Sequence, residues 1–500
     1  MAWKSALIKP FAKRIAKSIH QLSVNDAAVA TQEAVFKHLI LRGGNTAFGR
    51  DHHFSTIKTY ADFKAQVPVR DYEGLKDYIE RVKKGEANVL WQGKPAYFAK
   101  TSGTTSGIKY IPITKESVPN HFGTARNALF NYTIETGNGA WLDGKQIFLS
   151  GSPELDEVNG IKTGRLSGIS NHMVPQWLRM SQMPSYATNC IEEWEDKLTA
   201  ITHETHNADL RLISGIPPWV QMYYERLLDF TGKKTVKEIF PNFSVYVYGG
   251  VNFEPYRAKL EELVGQRLDG VETYPASEGF IAFQDSQKHK GLWLNVNSGI
   301  FFEFIPANEV FNENPTRLSL RDIELGVNYA LIINNNAGLW GYSIGDTIEF
   351  VSKNPYRLIV TGRIKHFISA FGEHVIGKEV EEALLKVANT EGVKIVEFHV
   401  APQVMPTSGL PYHEWFIEFD NMPNNITEFA QKVDIEMTKQ NIYYDDLITG
   451  AVLRPLVITP VKRDAFRAYM KSEGKLGGQN KVPRLANDRK IADVLNAQGD

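Results

Sequence analysis

Beyond about residue 90 the chain alternates short apolar runs with amphipathic helical stretches, and this alternation limits its fold more than any other feature. KQIFLSG, LRLISGI, FSVYVYGG and VNYALIINN have the length of buried strands. EEWEDKLTAITHET, WVQMYYERLLDFTG and EPYRAKLEELVG carry apolar residues at helical spacing. Such an order predicts an α/β architecture in which helices cover a sheet. Ahead of it, from about residue 25 to 90, the period is helical, as in ATQEAVFKHLILRGG and YEGLKDYIERVKKGEA. Further on, SKNPYRLIVTGRIKHFISAFGEHVIGKEVEEALLKVA reads as strand, basic turn, strand, glycine turn and helix. EFHVAPQ, YHEWFIEFD and a helix over about Thr427 to Asn441 then have the pattern of a small α+β domain. A boundary is expected near Phe371 to His374, giving a large domain over 1–371 and a small one over 372–500.

Composition narrows the function. Lys and Arg number 56 against 57 Asp and Glu, so the chain has no net field with which to gather nucleic acid or an anionic membrane. Any anionic ligand has to be held by local groups. The single cysteine, Cys190, excludes an intramolecular disulfide and zinc sites built from paired cysteines, and fits a reducing cytoplasm. No apolar run reaches the length of a membrane span. The N-terminal stretch carries Lys4, Lys9, Lys13, Arg14 and Lys17 with no acid before Asp26. A presequence and a membrane-surface helix share that pattern, but the expected form is a helix that packs Leu7, Phe11, Ile15 and Ile19 on the core and leaves its basic face in solvent.

Four motifs carry chemistry. AKTSGTTSGIKYIPIT (99–114) supplies hydroxyls from Ser102, Thr104, Thr105 and Ser106, bare backbone at Gly103 and Gly107, and a cation at Lys109. That set can cradle phosphate oxygens, and a polar surface loop has the same composition. It is not a P-loop, because Tyr110 stands where the magnesium-binding hydroxyl would be. VYVYGGVNFEP ends a strand at Gly249 and Gly250, where either a flat ring could lie on bare backbone or the chain simply turns. ETYPASEGF presents Tyr274 for stacking, Ser277 for hydrogen bonding and Glu278 as an oxygen ligand for magnesium. LWGYSIGDTIEF places Asp346 after a glycine turn and before a strand, where it could accept ribose hydroxyls or cap the turn.

In this order the motifs resemble the adenylate-forming superfamily. TSGTTSGIKYIP, ISGIPPWV, YGGVNFEPYR, ETYPASEGF, YSIGDTIEF, GRIKHFISAFGEHVIGKEVEEAL and NKVPR together are more closely similar to the auxin-responsive acyl acid amido synthetases, in their bacterial branch. The resemblance implies a large N-terminal adenylation domain with mixed sheets and a small mobile C-terminal domain. It implies ATP and Mg2+ as cofactors, and a carboxylic acid and an amino acid as substrates. Residues 102–106 would hold phosphates, Tyr274 and Gly249–Gly250 would flank adenine, Glu278 would bind magnesium and Asp346 the ribose. Arg363 and Lys365 would contact nucleotide near the hinge, and Lys481 would be the mobile lysine brought to the reacting oxygens. Thioester-forming relatives carry TSGTTGxPKG, whereas this chain has Ser106, Ile108 and Tyr110, and NKVPR stands where they have PxTxxGK.

For the acid, the expectation is an apolar pocket with one polar anchor, drawn from His121, Phe122 and Arg126 after the phosphate loop and from Ile216 and Trp219 in ISGIPPWV; ordinary packing is the competing expectation for these residues. HETH at 203–206 is one residue short of the HExxH zinc spacing, and HEWFI lacks the second histidine. An acyl-CoA synthetase, or a non-catalytic protein on the same fold, shares parts of the pattern. Glu278, Asp346 and Lys481 together speak against the second.

Overall fold

The alternation resolves into one large mixed sheet with helices on it. The computed structural model describes residues 3–103, 107–250, 253–364, 367–368, 370–371, 373, 375–450, 452–476 and 481–497. In chain order the strands are β1 (Tyr97–Gly103), β2 (Gly107–Ile113), β3 (Lys145–Phe148), β4 (Asp156–Val158), β5 (Ile161–Gly164), β6 (Gln182–Met183), β7 (Leu210–Ser214), β8 (Val245–Gly249), β9 (Asp269–Ala276), β10 (Gly279–Phe283), β11 (Leu292–Leu294), β12 (Ile300–Pro306), β13 (Asn328–Asn335), β14 (Tyr342–Lys353), β15 (Tyr356–Arg363), β16 (Phe367–Ile368), β17 (Val375–Ile376), β18 (Lys394–Gln403), β19 (Tyr412–Asn421) and β20 (Val457–Val461). Residues group into two units, Met1–Gly250 with Leu263–Ile359, and Val251–Glu262 with Val360–Asp500.

In the first unit eleven strands run in the order β12-β13-β14-β15-β11-β10-β9-β8-β7-β3-β6. The stretch from β6 to β9 is parallel. Helices Trp194–Thr205, Pro217–Thr231 and Glu254–Val264 lie between its strands along the chain, as the sequence predicts. Beyond β9 the pairing turns antiparallel through β10, β11 and β15, and the meander β12-β13-β14 is antiparallel as well. The hairpin β1-β2 belongs to a separate four-stranded sheet, β2-β1-β5-β4. Parallel strands end their carboxyl termini on one edge, and in this sheet those ends carry Ser214, Gly249 and Ala276.

One buried charge organises the meander. Glu303 on β12 is fully buried. Its carboxylate accepts two bonds from Arg317, Nε at 2.8 Å and Nη2 at 2.9 Å, one from the Tyr60 hydroxyl at 2.8 Å and one from Asn334 Nδ2 at 2.7 Å. Arg317 Nη1 continues to the Val67 carbonyl at 2.5 Å. A carboxylate in this setting is tolerable only because every lone pair has a donor.

The N-terminal helix Trp3–Ser23 is present, with Ile15 half-buried and Ile19 inward as expected but not Phe11, while the Leu7 side chain lies outside the described residues. Ala12 and Ala16 are buried, Ile8 and Ile19 pack on the adjoining apolar cluster, and Phe11 is 52% exposed, resting edge-on against Phe130 at 5.9 Å. Small alanines at the contact let the helix approach Val118–Thr136 closely, which turns Phe11 to the margin. Among the described residues no helix is long and apolar enough to cross a membrane.

The second unit is the expected small α+β body, a sheet β18-β19-β20 between two helical layers. Alternation along β19 sends Trp415 and Ile417 to the layer of Gly377–Glu391 and Ile426–Gln440, and Phe416 to the layer of Ala465–Ser472 and Lys490–Ala497. The helix stretch 254–262 groups with this unit although it follows β8 in the chain. Gly372 and His374, two residues of the expected hinge, lie outside the described residues.

The Glu303 network makes a stability prediction. Arg317→Met leaves a buried carboxylate without its cation and should cost about 3–5 kcal/mol in urea unfolding. A loss below about 1 kcal/mol would show that the remaining donors suffice.

Candidate active site

The tip of the β9-β10 hairpin is the structural centre. Ala276 pairs with Gly279, so Ser277 and Glu278 form a two-residue turn. Asn120, buried in the helix Val118–Thr136, accepts from Phe280 N at 2.7 Å and donates to Phe280 O at 3.2 Å, so one amide side chain acts as an extra strand partner. From the other side Asn335 Nδ2 donates to the Glu278 carbonyl at 2.7 Å. A Cβ on Gly279 would come within 2.5 Å of Ile300 Cδ1, which explains glycine there. Glu278 is half-buried and its Oε1 accepts from the Tyr342 hydroxyl at 3.4 Å. Burial, and then the Glu278 carboxylate, hold the Tyr342 phenol well above its ordinary pKa, so it stays a donor.

Tyr274 and Asp346 meet beside this tip. Both are nearly buried, and the Tyr274 hydroxyl donates to Asp346 Oδ2 at 2.6 Å. The expected glycine turn ahead of Asp346 is instead a bulge inside the long strand β14. Ala330 pairs with Thr347 but Ile332 pairs with Ser343, which leaves extra residues on β14 around Gly345, whose φ is +85°. A bulge re-aims side chains, and here it brings Asp346 to Tyr274, although β10, β11 and β15 intervene between β9 and β14 in the sheet order. Next to them Gly249 pairs with Thr273, and a Cβ on Gly249 would overlap the Thr273 carbonyl oxygen. Gly250, with φ of +81°, takes the chain away from β8.

The hydroxyl-rich loop is the tip of a β-hairpin. Ser102 and Gly103 end β1, Gly107 begins β2, and Gly103 lies opposite Gly107. Thr104, Thr105 and Ser106 lie outside the described residues. Lys109 stands opposite Thr101, its Nζ 5.6 Å from the Tyr72 ring. In the second unit Arg363 ends β15 and is exposed, Lys365 lies outside the described residues, and Lys481 is exposed.

The five residues considered for the acid differ in exposure. His121 is buried in the helix Val118–Thr136 and Phe122 packs on the main core, whereas Arg126 is exposed, bonded to Asn127 Oδ1 at 3.1 Å. Ile216 precedes the helix Pro217–Thr231, and Trp219 is buried with its ring 4.9 Å from that of Trp194. Burial alone pushes the His121 imidazole down to about 4, and its Nδ1 is buried with no hydrogen-bond partner. A neutral imidazole with an unused nitrogen is the one polar group of the five that is both buried and unsatisfied.

Family models match most of the chain. The GH3 family N-terminal domain matches residues 17–167 and 142–268, the central domain 293–363 and the C-terminal domain 378–490. The chain belongs to the GH3 family. Among curated GH3 relatives, indole-3-acetic acid-amido synthetase GH3.3 of Arabidopsis thaliana is 26% identical, covering 93% of this chain and 91% of its own length. Jasmonoyl-L-amino acid synthetase JAR4 of Nicotiana attenuata is 21% identical, over 73% of this chain and 75% of its own. A solved structure of the GH3.15 acyl acid amido synthetase in complex with 2,4-DB superposes with a TM-score of 0.78 at 15% identity, covering 98% of this chain and 96% of that one. A 2-hydroxyisobutyryl-CoA ligase in its postadenylation state has a TM-score of 0.61 at 13% identity, over 95% and 91% of the two chains. These structures share the fold with this GH3 chain.

The sequence motifs did not include the asparagines that tie the candidate residues to the sheet. Asn334, Asn335 and Asn336 are buried at the end of β13, tied to Glu303, the Glu278 carbonyl and the Glu116 carbonyl respectively. Three successive asparagines closing an apolar strand were the available signal, since buried amides persist only where each has work to satisfy them.

His121 gives a pH prediction. Its folded pKa of about 4 lies below the model-peptide value, so the unfolded chain takes up the proton first and stability falls as pH drops from about 6.5 to about 4. The contribution is at most about 3 kcal/mol. The difference in urea stability between wild type and His121→Gln should therefore vary with pH across that window, and a pH-independent difference would contradict a buried neutral imidazole.

Proposed function

We propose that this chain is an ATP-dependent acyl acid amido synthetase. It joins an organic carboxylic acid to the amine of an amino acid through an acyl-adenylate. The observation that carries this reading is that one sheet carries Tyr274 bonded to Asp346, Gly249 paired next to Tyr274, and Glu278 at the neighbouring hairpin tip, in a chain that GH3 models match over 17–268, 293–363 and 378–490. We assign the Gly249–Gly250 backbone and the Tyr274 ring to the flanks of the base, and the Asp346 carboxylate beside Tyr274 to the ribose hydroxyls.

Magnesium fits the donor set. Among the described residues no group of three or more acidic, histidine or cysteine side chains is arranged for a metal. A lone half-exposed carboxylate suits Mg2+, which keeps its waters and takes one or two carboxylates with phosphate oxygens. Glu278 would hold it, and when bound the ion would neutralise phosphate charge.

The acid's carboxylate oxygen attacks the α-phosphorus, forming the acyl-phosphate ester bond while the bond to pyrophosphate breaks. Two anions approach each other in that step, so the chain has to supply positive charge. We assign that role to the Lys481 ammonium and, around the phosphates, to Lys109, Arg363, Lys365 and the hydroxyls of residues 102–106. The amino acid's amine then attacks the activated carbonyl, AMP leaves with the carboxylate's oxygen, and the amine proton passes to solvent. That second step depends on orientation more than on a strong base, since AMP is a good leaving group. We place the change of geometry between the two steps in rotation of the C-terminal domain, 372–500, about Phe371 to His374. His121 is the polar anchor we favour for the acid.

Acid-dependent exchange of labelled pyrophosphate into ATP tests the first step across an acid panel. Lys481→Ala should lower exchange by about a hundredfold or more, and Asp346→Asn should raise the KM for ATP by about tenfold. Full exchange in Lys481→Ala would remove that lysine from the chemistry. A coenzyme A thioester formed in preference to any amide would favour the thioester ligase.

A further inference from the structure

Just after Lys481 the chain is held at two levels. Its backbone pairs with β18 through Val400 N to Arg484 O at 2.8 Å and Ala486 N to Val400 O at 3.1 Å, and the His399 ring meets the Pro483 carbonyl at 2.6 Å. Its side chain is held by the Arg484 guanidinium, which bonds Glu381 Oε1 on the helix Gly377–Glu391 at 2.5 Å and Glu397 Oε1 on β18 at 3.2 Å. All three side chains are largely buried, at 12%, 14% and 14% exposure. Burial works against the charge, but Glu397 and Glu381 outweigh it and hold the guanidinium well above its ordinary pKa. The guanidinium also lies 4.9 Å above the Phe398 ring.

A third partner comes from elsewhere in the sequence. The Tyr256 hydroxyl donates to Glu397 Oε2 at 2.6 Å, and Arg484 Nη2 lies 3.5 Å from that hydroxyl. Tyr256 stands in the first turns of Glu254–Val264, the helix that follows the Gly249–Gly250 turn in the chain. Glu397 thus binds both the arginine beside Lys481 and the helix after the turn assigned to adenine. No part of the proposed chemistry uses Arg484, and a surface lysine has no need of a buried, three-way anchor so close to it.

We propose that Arg484 is the positioning residue for Lys481, set by Glu381, Glu397 and the Tyr256 hydroxyl. Only Val482 and Pro483 separate the two residues, so the Lys481 Cα lies within about 11 Å of the Arg484 Cα, and Pro483 stiffens the span. The planar guanidinium fork fixes orientation as well as place, which a lysine ammonium would not. The inference rests on the reading that Lys481 serves adenylation.

The test separates the two half-reactions. Pyrophosphate exchange reports adenylation, and single-turnover amide formation from supplied acyl-adenylate reports transfer. Arg484→Lys keeps the charge and loses the fork. It should lower the exchange kcat by about ten- to a hundredfold, with the KM for ATP and the transfer rate changed by less than about threefold. Tyr256→Phe, which removes one hydroxyl and spares the buried charges, should lower exchange by about three- to tenfold in the same pattern. In a Lys481→Ala background Arg484→Lys should cost less than about twofold, because its effect passes through the missing lysine. Equal losses in both half-reactions, an equal loss with and without Lys481, or wild-type exchange in Arg484→Lys would each overturn the inference. No acid-dependent exchange in the wild-type chain would overturn the adenylation reading, and this inference with it.

Discussion

The buried carboxylate of Glu303 is the interaction on which the site depends. With Arg317, Tyr60 and Asn334 it locks β12 to β13 and to the segments at residues 60 and 317. Asn334 then accepts from Gly341 N at 2.6 Å, which closes the turn from β13 into β14. Asn335 accepts from Ala337 N and Leu339 N, both at 3.0 Å, and passes the constraint to the Glu278 carbonyl. From one charge, therefore, a line of hydrogen bonds leads to the hairpin tip and to the strand that carries Asp346. Such a network gives geometry at a cost in desolvation, and geometry is what a nucleotide site requires.

Adenylation also explains the charge balance of the chain. A carboxylate and a triphosphate repel one another, so positive charge is needed at one place and for one step. A chain with 56 basic and 57 acidic residues can meet that need with a few local cations. Among the described residues many basic groups are engaged elsewhere, as with Arg357 on Asp285 at 2.6 Å and Arg489 on Glu414 at 2.8 Å.

Much of this was legible in the sequence, and the exceptions share a cause. Strands such as Leu210–Ser214 and Val245–Gly249, and helices such as Trp194–Thr205, follow from local period, which the sequence carries directly. Asp346 stands out in the sequence for its place near a glycine, yet its setting does not, because a bulge depends on the register of β13 against β14 and not on the local pattern GYSIGD. Phe11 was expected inside, but the buried positions of that helix are taken by Ala12 and Ala16, a choice between neighbouring faces that depends on tertiary packing. Arg126 and His121 look alike as polar residues near the phosphate loop, and only the packing of their helix separates an exposed cation from a buried imidazole. Asn120 and Arg484 act through partners far away in sequence, as with Asn120 on Phe280, so spacing gave no sign of them.

The central claim is that the acid is activated by transfer of AMP to its own oxygen. A substrate acid labelled with 18O in its carboxylate, supplied with ATP, magnesium and an amino acid, tests this by mass spectrometry of the nucleotide product. The account predicts one heavy oxygen in AMP and an amide as the organic product. Unlabelled AMP, or ADP with the heavy oxygen in inorganic phosphate, would contradict it.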